Sequence, residues 1–250
     1  MNKNKKRNLI IILARKGTKN ITRQNIRLVN GKPLIYYIIK KCQEAKIADI
    51  FISTDSDEIK ELSGLYGIKS IHRPKILTKD NTLIEKIVHN SLIQLKEKNL
   101  NYEKCLILNP HYPLIKISTI KKFCSELNNK KEVIFGFQND SEAKYIKIEK
   151  NQRIKSLDKN IVEQRKILSF NCNSFLSKKK FSNTKYGIEL KESEKFSPNS
   201  YHDFGILENI LDRKKILVRV DGSKLIGLGH VYNMLTILNH FRNDDLLIVM

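Results

Sequence analysis

Apolar runs alternate with amphipathic stretches along most of the chain. Residues 9–14 form a continuous apolar run, which is typical of a parallel strand covered on both faces. Residues 31–33, Gly-Lys-Pro, are predicted to open a helix, because proline suits the first helical turn. Apolar residues then recur at helical spacing and predict a helix face packed on the sheet; they are Leu34, Ile38, Cys42 and Ala45.

The same alternation continues beyond this first helix. Further strands are predicted at 49–53, 68–71, 104–108 and 132–137. Between them, residues 54–56 are predicted to cap a helix that ends at Gly67, and the other helices are predicted at 83–98 and 118–127. The order of strands and helices predicts a three-layer α/β fold with a mainly parallel sheet.

The pattern changes after this region. Residues 143–186 consist of short alternating stretches rich in Lys, Asn and Ser, which predict an antiparallel extension or arm. A helix at 203–211, a strand at 215–220 and a helix at 230–241 are predicted next, and a further strand begins at residue 246.

Composition and charge narrow the function classes. The chain has 250 residues, of which 40% are hydrophobic and 29% charged, as in ordinary globular proteins. The net charge of +21 is spread along the chain instead of forming a stripe. We therefore interpret it as a solvated basic surface; a nucleic-acid binder would be expected to show a recognisable module or interleaved aromatic residues.

The chain also shows no targeting or metal-finger pattern. No apolar run approaches the roughly 20 residues needed to cross a bilayer, and Arg15-Lys16 stands where a signal peptide would carry small residues. We expect a cytoplasmic protein without membrane contact. The cysteines include no CxxC pair, so we expect them to be buried, reduced thiols rather than zinc ligands; they are Cys42, Cys105, Cys124 and Cys172.

The loop at 13–25 carries the clearest chemical signal. It follows a buried strand, and loops at the carboxyl ends of parallel strands are where nucleotides bind in open α/β sheets. Gly17 allows the backbone to approach a ligand closely, and the side chains of Arg15 and Lys19 are suited to phosphate oxygens. An ordinary solvated basic loop is the alternative that the spacing alone leaves open.

The loop resembles the PAR-x-GS-K-x-I-P-x-KN signature of the acylneuraminate cytidylyltransferases, the CMP-sialic acid synthetases, and their GKPL follows at 31–34. Four more segments resemble family motifs in the same order, between about residues 8 and 212. These are 52–59 (STDS-x-EI), 72–82 (RP-x-x-L-x-x-D-x-T), 108–114 (LQPTSPL) and 170–175 (NG-x-x-Y).

The resemblance implies a mainly parallel sheet of the nucleotide-diphospho-sugar transferase type with an antiparallel arm. It also implies a reaction in which the anomeric hydroxyl of a sialic-acid-like, nine-carbon nonulosonic acid attacks the α-phosphorus of CTP. Pyrophosphate leaves, and the CMP-sugar serves surface polysaccharide biosynthesis. Family members are typically homodimers that exchange an arm near residues 145–185.

By the same resemblance, the nucleotide is expected to contact five residues. Arg15 and Lys19 would hold the triphosphate and take part in catalysis, Asn25 and Arg73 would contact the cytidine, and Thr82 would lie near it. Two of these residues have simpler interpretations. Asn25 could serve only to satisfy backbone groups of its loop, and Arg73, before Pro74, could be part of a surface turn.

The remaining expected residues concern the sugar acid, the reacting centre and the metal. Asn109 would orient the sugar acid, and Arg165 matches a catalytic arginine near the reacting centre. Mg²⁺ is the implied cofactor, with Asp203 as its remaining protein ligand. Asp55 is better explained as a helix cap than as a second metal ligand.

Several family residues are replaced. Gln24 stands in place of a lysine, and Ser197 and Asn199 stand in place of two carboxylates that support Mg²⁺ in the family. Losing about 3–4 kcal/mol of charge stabilisation would slow the reaction ~100- to 1,000-fold. A catalytically silent relative that binds nucleotide or a partner enzyme is therefore the second hypothesis.

A second resemblance concerns the carboxyl-terminal part of the chain. Residues 216–230 resemble the opening of the UDP-sugar hydrolase used in pseudaminic acid synthesis, a glycosyltransferase-B-like fold, and His230 matches a functional histidine there. This divides the chain into a cytidylyltransferase-like domain at 1–212 and an incomplete start of the second module at 213–250.

Overall fold

The fold is that of a computed structural model, which describes residues 8–17, 21–128, 131–137, 146–148, 153–156, 167–181, 185–220, 228–241 and 244–249. The chain divides into two compact units, the first ending at Asn199 and the second beginning at Ser200.

The first unit is built on one large mixed sheet with helices. Its helices are α1 (Leu34–Ala45), α2 (Asp57–Leu65), α3 (Ile84–Glu97), α4 (Ile117–Ser125) and α5 (Cys172–Lys178). Its strands are β1 (Asn8–Leu13), β2 (Leu28–Val29), β3 (Lys32–Pro33), β4 (Asp49–Thr54), β5 (Lys69–His72), β6 (Lys104–Leu108), β7 (Val133–Phe137), β8 (Ile146–Ile148), β9 (Arg153–Ser156), β10 (Leu168–Asn171) and β11 (Lys185–Glu189).

The described strands of the large sheet lie in the order β5-β4-β1-β6-β10-β7-β11-β9-β8. Parallel pairing joins β5, β4, β1 and β6, and it also joins β7 to β11. Strands β10 and β9 run opposite to the other strands. The predicted three-layer α/β architecture with a mainly parallel sheet is therefore confirmed.

Strand β1 shows why its apolar run is continuous. Leu9 and Ile11 belong to one apolar core, whereas Ile10 and Ile12 belong to the other, and all four side chains are fully buried. Because successive side chains of a strand point to opposite faces, a strand covered on both faces needs an apolar residue at every position.

Helices α1 and α2 follow their predicted signals with one difference. The four residues predicted for the inner face of α1 are buried, but Pro33 precedes the helix as its extended cap residue. Ser56 caps α2 by accepting from the backbone N–H of Ile59, and Gly67 follows the helix with φ of +70°. That positive φ favours glycine and explains why α2 ends there.

The predicted antiparallel segment at 143–186 is confirmed only in part as an extension. Strands β8 and β9 pair with each other in antiparallel fashion and join the sheet through β11. Strand β10, however, lies inside the sheet between β6 and β7, so this stretch of the segment is central rather than peripheral. Its alternation could not distinguish an arm from a buried antiparallel strand.

The second unit contains α6 (Tyr201–Asp212), β12 (Lys215–Arg219), α7 (Gly229–Leu238) and β13 (Asp245–Val249). The two strands are parallel, and Val218, Val220 and Leu238 form a small core. The predicted strand–helix–strand unit is present. Its assignment to a glycosyltransferase-B-like module, and the domain boundary at 212, remain predictions.

Two predictions about the whole chain also have outcomes. The four cysteines are free and buried, as expected. Among the described residues, no helix combines the length and the apolar character that a bilayer span requires.

Candidate functional site

The topology brings four polar residues to one edge of the sheet. Strands β1, β4, β5 and β6 are parallel neighbours, so their carboxyl ends lie at the same edge. Arg15, Asp55, Arg73 and Asn109 each follow one of these strands within two residues. The chain passes from β1 to β4 and β5 on one side and returns to β6 on the other, so this edge includes a topological switch point, the usual ligand position in open α/β sheets.

Arg15 extends from the end of β1 toward the loop after β5. Its Nη1 donates to the carbonyl oxygen of Thr78 at 2.9 Å, and its Nη2 is paired with Asp80 Oδ1 at 2.5 Å. Both partners are partly exposed, which makes such an ion pair worth about 0–1 kcal/mol. The guanidinium is therefore held weakly enough for a phosphate to compete for it.

Asn25 is buried in the turn that follows the first loop, with 4% of its surface exposed. Its Nδ2 donates to the carbonyl oxygen of Arg15 at 2.8 Å. Because a carbonyl only accepts, this bond fixes the orientation of the amide. Its Oδ1 is buried without a hydrogen-bond partner among the described residues. Asn25 thus satisfies a backbone group, as its simpler interpretation held, and also presents an unmet acceptor.

Arg73 is buried at 3% exposure, so its interpretation as a surface turn is wrong. Its Nη2 donates to the carbonyl oxygen of Ser53 at 2.8 Å and its Nε to Ser53 Oγ at 3.3 Å. Burial lowers the pKa of Arg73 to about 10, against the opposing effect of the Asp55 carboxylate. No described residue accepts from Nη1, although that atom is not sealed from solvent.

Asn25 and Arg73 are linked through the backbone after β1. The carbonyl oxygen of Ser53 that accepts from Arg73 also accepts from the N–H of Ala14, at 3.1 Å. The next residue, Arg15, accepts from Asn25. Asn25 is therefore bonded directly to the backbone after β1, and Arg73 is connected to the same backbone through Ser53.

The predicted helix-cap role of Asp55 is wrong. Ser56 provides the cap, and Asp55 Oδ1 instead accepts from the backbone N–H of Lys16 at 2.8 Å. This bond ties the loop after β4 to the loop after β1. The sequence placed the cap within one residue but did not reveal the contact between loops.

Two further predicted residues lie in neighbouring loops. Thr82 is half-buried, and its N–H donates to the carbonyl oxygen of Lys79 in the loop that contains Asp80. Asn109 follows β6, and its Oδ1 accepts from the N–H of His111 at 2.9 Å. That bond leaves the Nδ2 group of Asn109 as the donor available to a ligand. Lys19 and Arg165 lie outside the described residues.

Gln24, one of the replaced family positions, contacts the segment that carries the other two. Gln24 is buried, and its Nε2 donates to the carbonyl oxygen of Pro198 at 2.6 Å. Next to that proline, the Oγ of Ser197 is buried without a hydrogen-bond partner in the described part of the chain. The sequence showed Gln24 and Ser197 only as separate departures, and nothing local in either segment indicated that Gln24 bonds to the residue after Ser197.

The donor set for Mg²⁺ is sparse. No group of three or more His, Cys, Asp or Glu side chains that could hold a metal occurs in the part of the chain that the structure describes. Asp203, in the second unit, closes a capping box in which its Oδ2 accepts from the N–H of Ser200 at 2.9 Å. The described Asp, Glu, His and Cys side chains therefore do not form a metal site built by the protein alone. Within the described part of the chain, the side chains are compatible with a cation that brings water and phosphate oxygens as most of its ligands.

Comparison with known proteins gives matches to cytidylyltransferases. A family model described as cytidylyltransferase matches residues 9–220. The pseudaminic acid cytidylyltransferase of Campylobacter jejuni subsp. jejuni serotype O:2 is 30% identical over 167 residues, which cover 61% of this chain and 72% of that protein. The CMP-N,N'-diacetyllegionaminic acid synthase of Legionella pneumophila is 30% identical over 116 residues, 45% of this chain and 50% of that protein.

A solved structure shares the fold at low identity. The CMP:2-keto-3-deoxy-manno-octonic acid synthetase, solved in complex with CTP, superposes with a TM-score of 0.65 at 12% identity, covering 82% of this chain and 98% of that chain. Because the cytidylyltransferase model spans most of the sequence, this chain belongs to the cytidylyltransferase family, among relatives of the CMP-sialic acid synthetase type.

Proposed function

We propose that the chain transfers CMP from CTP to a nonulosonic acid of the pseudaminic, legionaminic or sialic type and releases pyrophosphate. The observation that carries the proposal is a pair of ligand-competent groups: an acceptor, Asn25 Oδ1, that is buried without a partner among the described residues, and a donor, Arg73 Nη1, that no described residue accepts from. A buried polar group without a partner is costly, so the acceptor of Asn25 is expected where a ligand completes its hydrogen bond, and the Nη1 group of Arg73 is a donor that the same ligand can use.

The pair matches a cytosine ring better than a uracil ring. Cytosine carries a donating 4-amino group next to two acceptors, N3 and O2. The amino group suits the Oδ1 of Asn25, and a ring acceptor suits the Nη1 of Arg73. Uracil presents a carbonyl oxygen in place of the amino group, so it would leave Asn25 facing another acceptor.

The phosphates of CTP are expected beside Arg15. Its guanidinium is partly exposed and its partners, Thr78 and Asp80, hold it weakly. Lys19 is predicted to act with it. Mg²⁺, if it takes part, is expected to reach the site bound to the triphosphate, where it would neutralise charge on the phosphate oxygens.

In the proposed reaction, the anomeric hydroxyl oxygen of the sugar acid bonds to the α-phosphorus. The bond from that phosphorus to the bridging oxygen breaks, pyrophosphate departs, and the hydroxyl proton is released. Asn109 supplies an amide donor that suits the carboxylate of the sugar acid. Arg165 is predicted near the reacting centre. Such displacements depend mainly on positioning and on charge stabilisation.

A pyrophosphate-release assay tests the proposal. The full chain is incubated with CTP or UTP and with pseudaminic, legionaminic or sialic acid in turn, and the CMP-sugar is identified by mass spectrometry. We expect turnover with CTP and at least one acid. CTP binding without turnover toward any acid would support instead the silent binder suggested by Ser197 and Asn199.

A pair of variants links the assay to the base. Asn25→Asp replaces the donor that binds the Arg15 carbonyl with a carboxylate oxygen, so we expect weaker CTP binding and lower turnover. Asn30→Asp makes the same change of charge at an exposed position before Gly31 and serves as the control. Equal effects of the two changes would contradict the role given to Asn25.

We also propose, on the family resemblance alone, that the chain acts as a homodimer, and, on the sequence pattern of its first residues, that it acts in the cytoplasm. Light scattering coupled to size-exclusion chromatography would test the dimer. A monomeric mass at the concentration of the assay would contradict it.

A further inference from the structure

Glu194 is a buried carboxylate that joins two segments of the first unit. It is 1% exposed. Its Oε1 accepts from the backbone N–H of Lys116 at 2.7 Å, and its Oε2 accepts from the backbone N–H of Lys191 at 3.2 Å. Lys116 is the cap residue of α4, so this side chain fastens the segment around 191–194 to the beginning of that helix.

Lys41, on α1, binds the first residue of the stretch 113–116, whose last residue, Lys116, is bound by Glu194. Its Nζ donates to the carbonyl oxygen of Pro113 at 2.6 Å. Burial lowers the pKa of Lys41 to about 8, and the charge of Glu194 is the largest effect acting in the opposite direction. Residues 113–116 are thus held at Pro113 by Lys41 and at Lys116 by Glu194.

The stretch held in this way continues directly from Asn109. The N–H of Tyr112 donates to the carbonyl oxygen of Asn109 at 3.1 Å, and the N–H of Ile115 donates to that of Tyr112 at 3.3 Å. Ile115 is fully buried and Tyr112 nearly so. A series of tight turns therefore connects Asn109, at the ligand edge, to Pro113 and Lys116, the residues bound by Lys41 and Glu194.

The segment around Glu194 also reaches the loop after β1. Four residues beyond Glu194, the carbonyl oxygen of Pro198 accepts from Gln24, beside Asn25. One segment, 191–198, therefore contacts the loops that follow β1 and β6, the two strands at the switch point of the sheet.

We propose that Glu194 and Lys41 are positioning residues that fix the loop at 109–116 for the sugar-acid substrate. This proposal rests on the proposed function, because it assigns that loop to the acid. Neither residue is expected to touch the substrate. Each acts through a backbone group of the loop, so their loss is expected to affect use of the acid and to leave CTP binding unchanged.

Four variants of the full chain test the proposal. Glu194→Gln replaces one accepting oxygen with an amide N–H₂, which faces a backbone N–H, whereas Glu194→Asp keeps the charge. Lys41→Met removes the donor to Pro113, whereas Lys41→Arg keeps a cationic donor. For each variant, KM for the acid, kcat, Kd for CTP and the thermal midpoint are measured, together with hydrogen–deuterium exchange across 109–116.

The expected result separates positioning from general destabilisation. Glu194→Gln and Lys41→Met are expected to raise KM for the acid about tenfold, the equivalent of one lost charge-assisted hydrogen bond. Faster exchange is expected at 109–116, with Kd for CTP within about twofold of the parent value, since the cytidine contacts lie elsewhere. Lys41→Arg and Glu194→Asp should recover most of the loss.

The failures are distinguishable. Parent chain that turns over no acid would overturn the proposed function, and this proposal with it. A different result would overturn this proposal alone. The parent chain would be active, but its Glu194→Gln and Lys41→Met variants would keep the parent KM for the acid, or their CTP affinity would fall by the same factor as their KM for the acid rises. If Glu194→Gln fails to fold, Lys41→Met and Lys41→Arg decide the question by the same measurements.

Discussion

Replacing Arg73 with methionine is expected to weaken nucleotide binding while leaving the fold nearly as stable. The change removes the Nη1 donor assigned to the cytosine ring. A hydrogen bond to a charged group contributes about 1.5–3 kcal/mol, so Kd for CTP should rise ~10- to 140-fold. The side chain is almost fully buried, so solvent screening does not reduce this figure greatly.

Two opposing effects limit the change in stability. The pKa of Arg73 is lowered to about 10, well below its ordinary value, so its folded environment disfavours the charged form by ~3 kcal/mol. Methionine relieves this cost but loses the two bonds to Ser53, each worth about 1–3 kcal/mol. The Ser53 groups keep other partners, Ala14 and Ser91, so no buried polar group is left unpaired.

Isothermal titration with CTP and urea unfolding measure the two quantities separately. Lys75→Met makes the same change of charge at an exposed position in the same loop and should leave both nearly unchanged. An Arg73→Met variant that binds CTP within about twofold of the parent, or that loses more than ~4 kcal/mol of stability, would refute the reasoning.

Four other changes have expected outcomes. Asp80→Asn removes a negative charge beside Arg15 and should tighten CTP binding about two- to fivefold at low salt and less at high salt, measured by titration at both salt concentrations. Gly136→Ala places a Cβ 3.2 Å from Phe123 Cζ and should cost ~1–3 kcal/mol in urea unfolding. Ser56→Ala removes the α2 cap and should cost about 1 kcal/mol by the same method. Lys41 has a folded pKa of about 8, below its ordinary 10.5, so the folded state binds fewer protons than the unfolded state between these pH values. The free energy of unfolding of the parent relative to Lys41→Met should therefore rise as the pH rises from 8 to 10.5. A difference that stays constant with pH would contradict this.

The sequence pattern predicted the elements well where local signals determine them. The β1 and β6 segments are apolar at nearly every position, and Gly67 supplies the positive φ that ends α2. The ligand edge followed from topology, because polar residues stand directly after the strands. Strand β10 was harder, since its alternation fits either an arm or an antiparallel strand within the sheet.

The contacts that shape the candidate site depend on distant partners. Arg73 precedes a proline and resembles a turn residue in sequence, but pairing of β5 with β4 brings it against Ser53, twenty residues earlier. Gln24 meets Pro198 across 174 positions, and Glu194 meets Lys116 across 78. Spacing and propensity report neighbours along the chain, so pairs of this kind appear only once the sheet order is known.

Hydrogen–deuterium exchange of the full chain with and without CTP tests whether the nucleotide binds at the carboxyl edge of the sheet, because it locates the nucleotide without assuming turnover. We predict slower exchange in CTP within residues 13–17 and 53–56, which span the carboxyl ends of β1 and β4, and within 73–82, after β5. Protection confined to other segments, with these three unchanged at saturating CTP, would contradict this prediction.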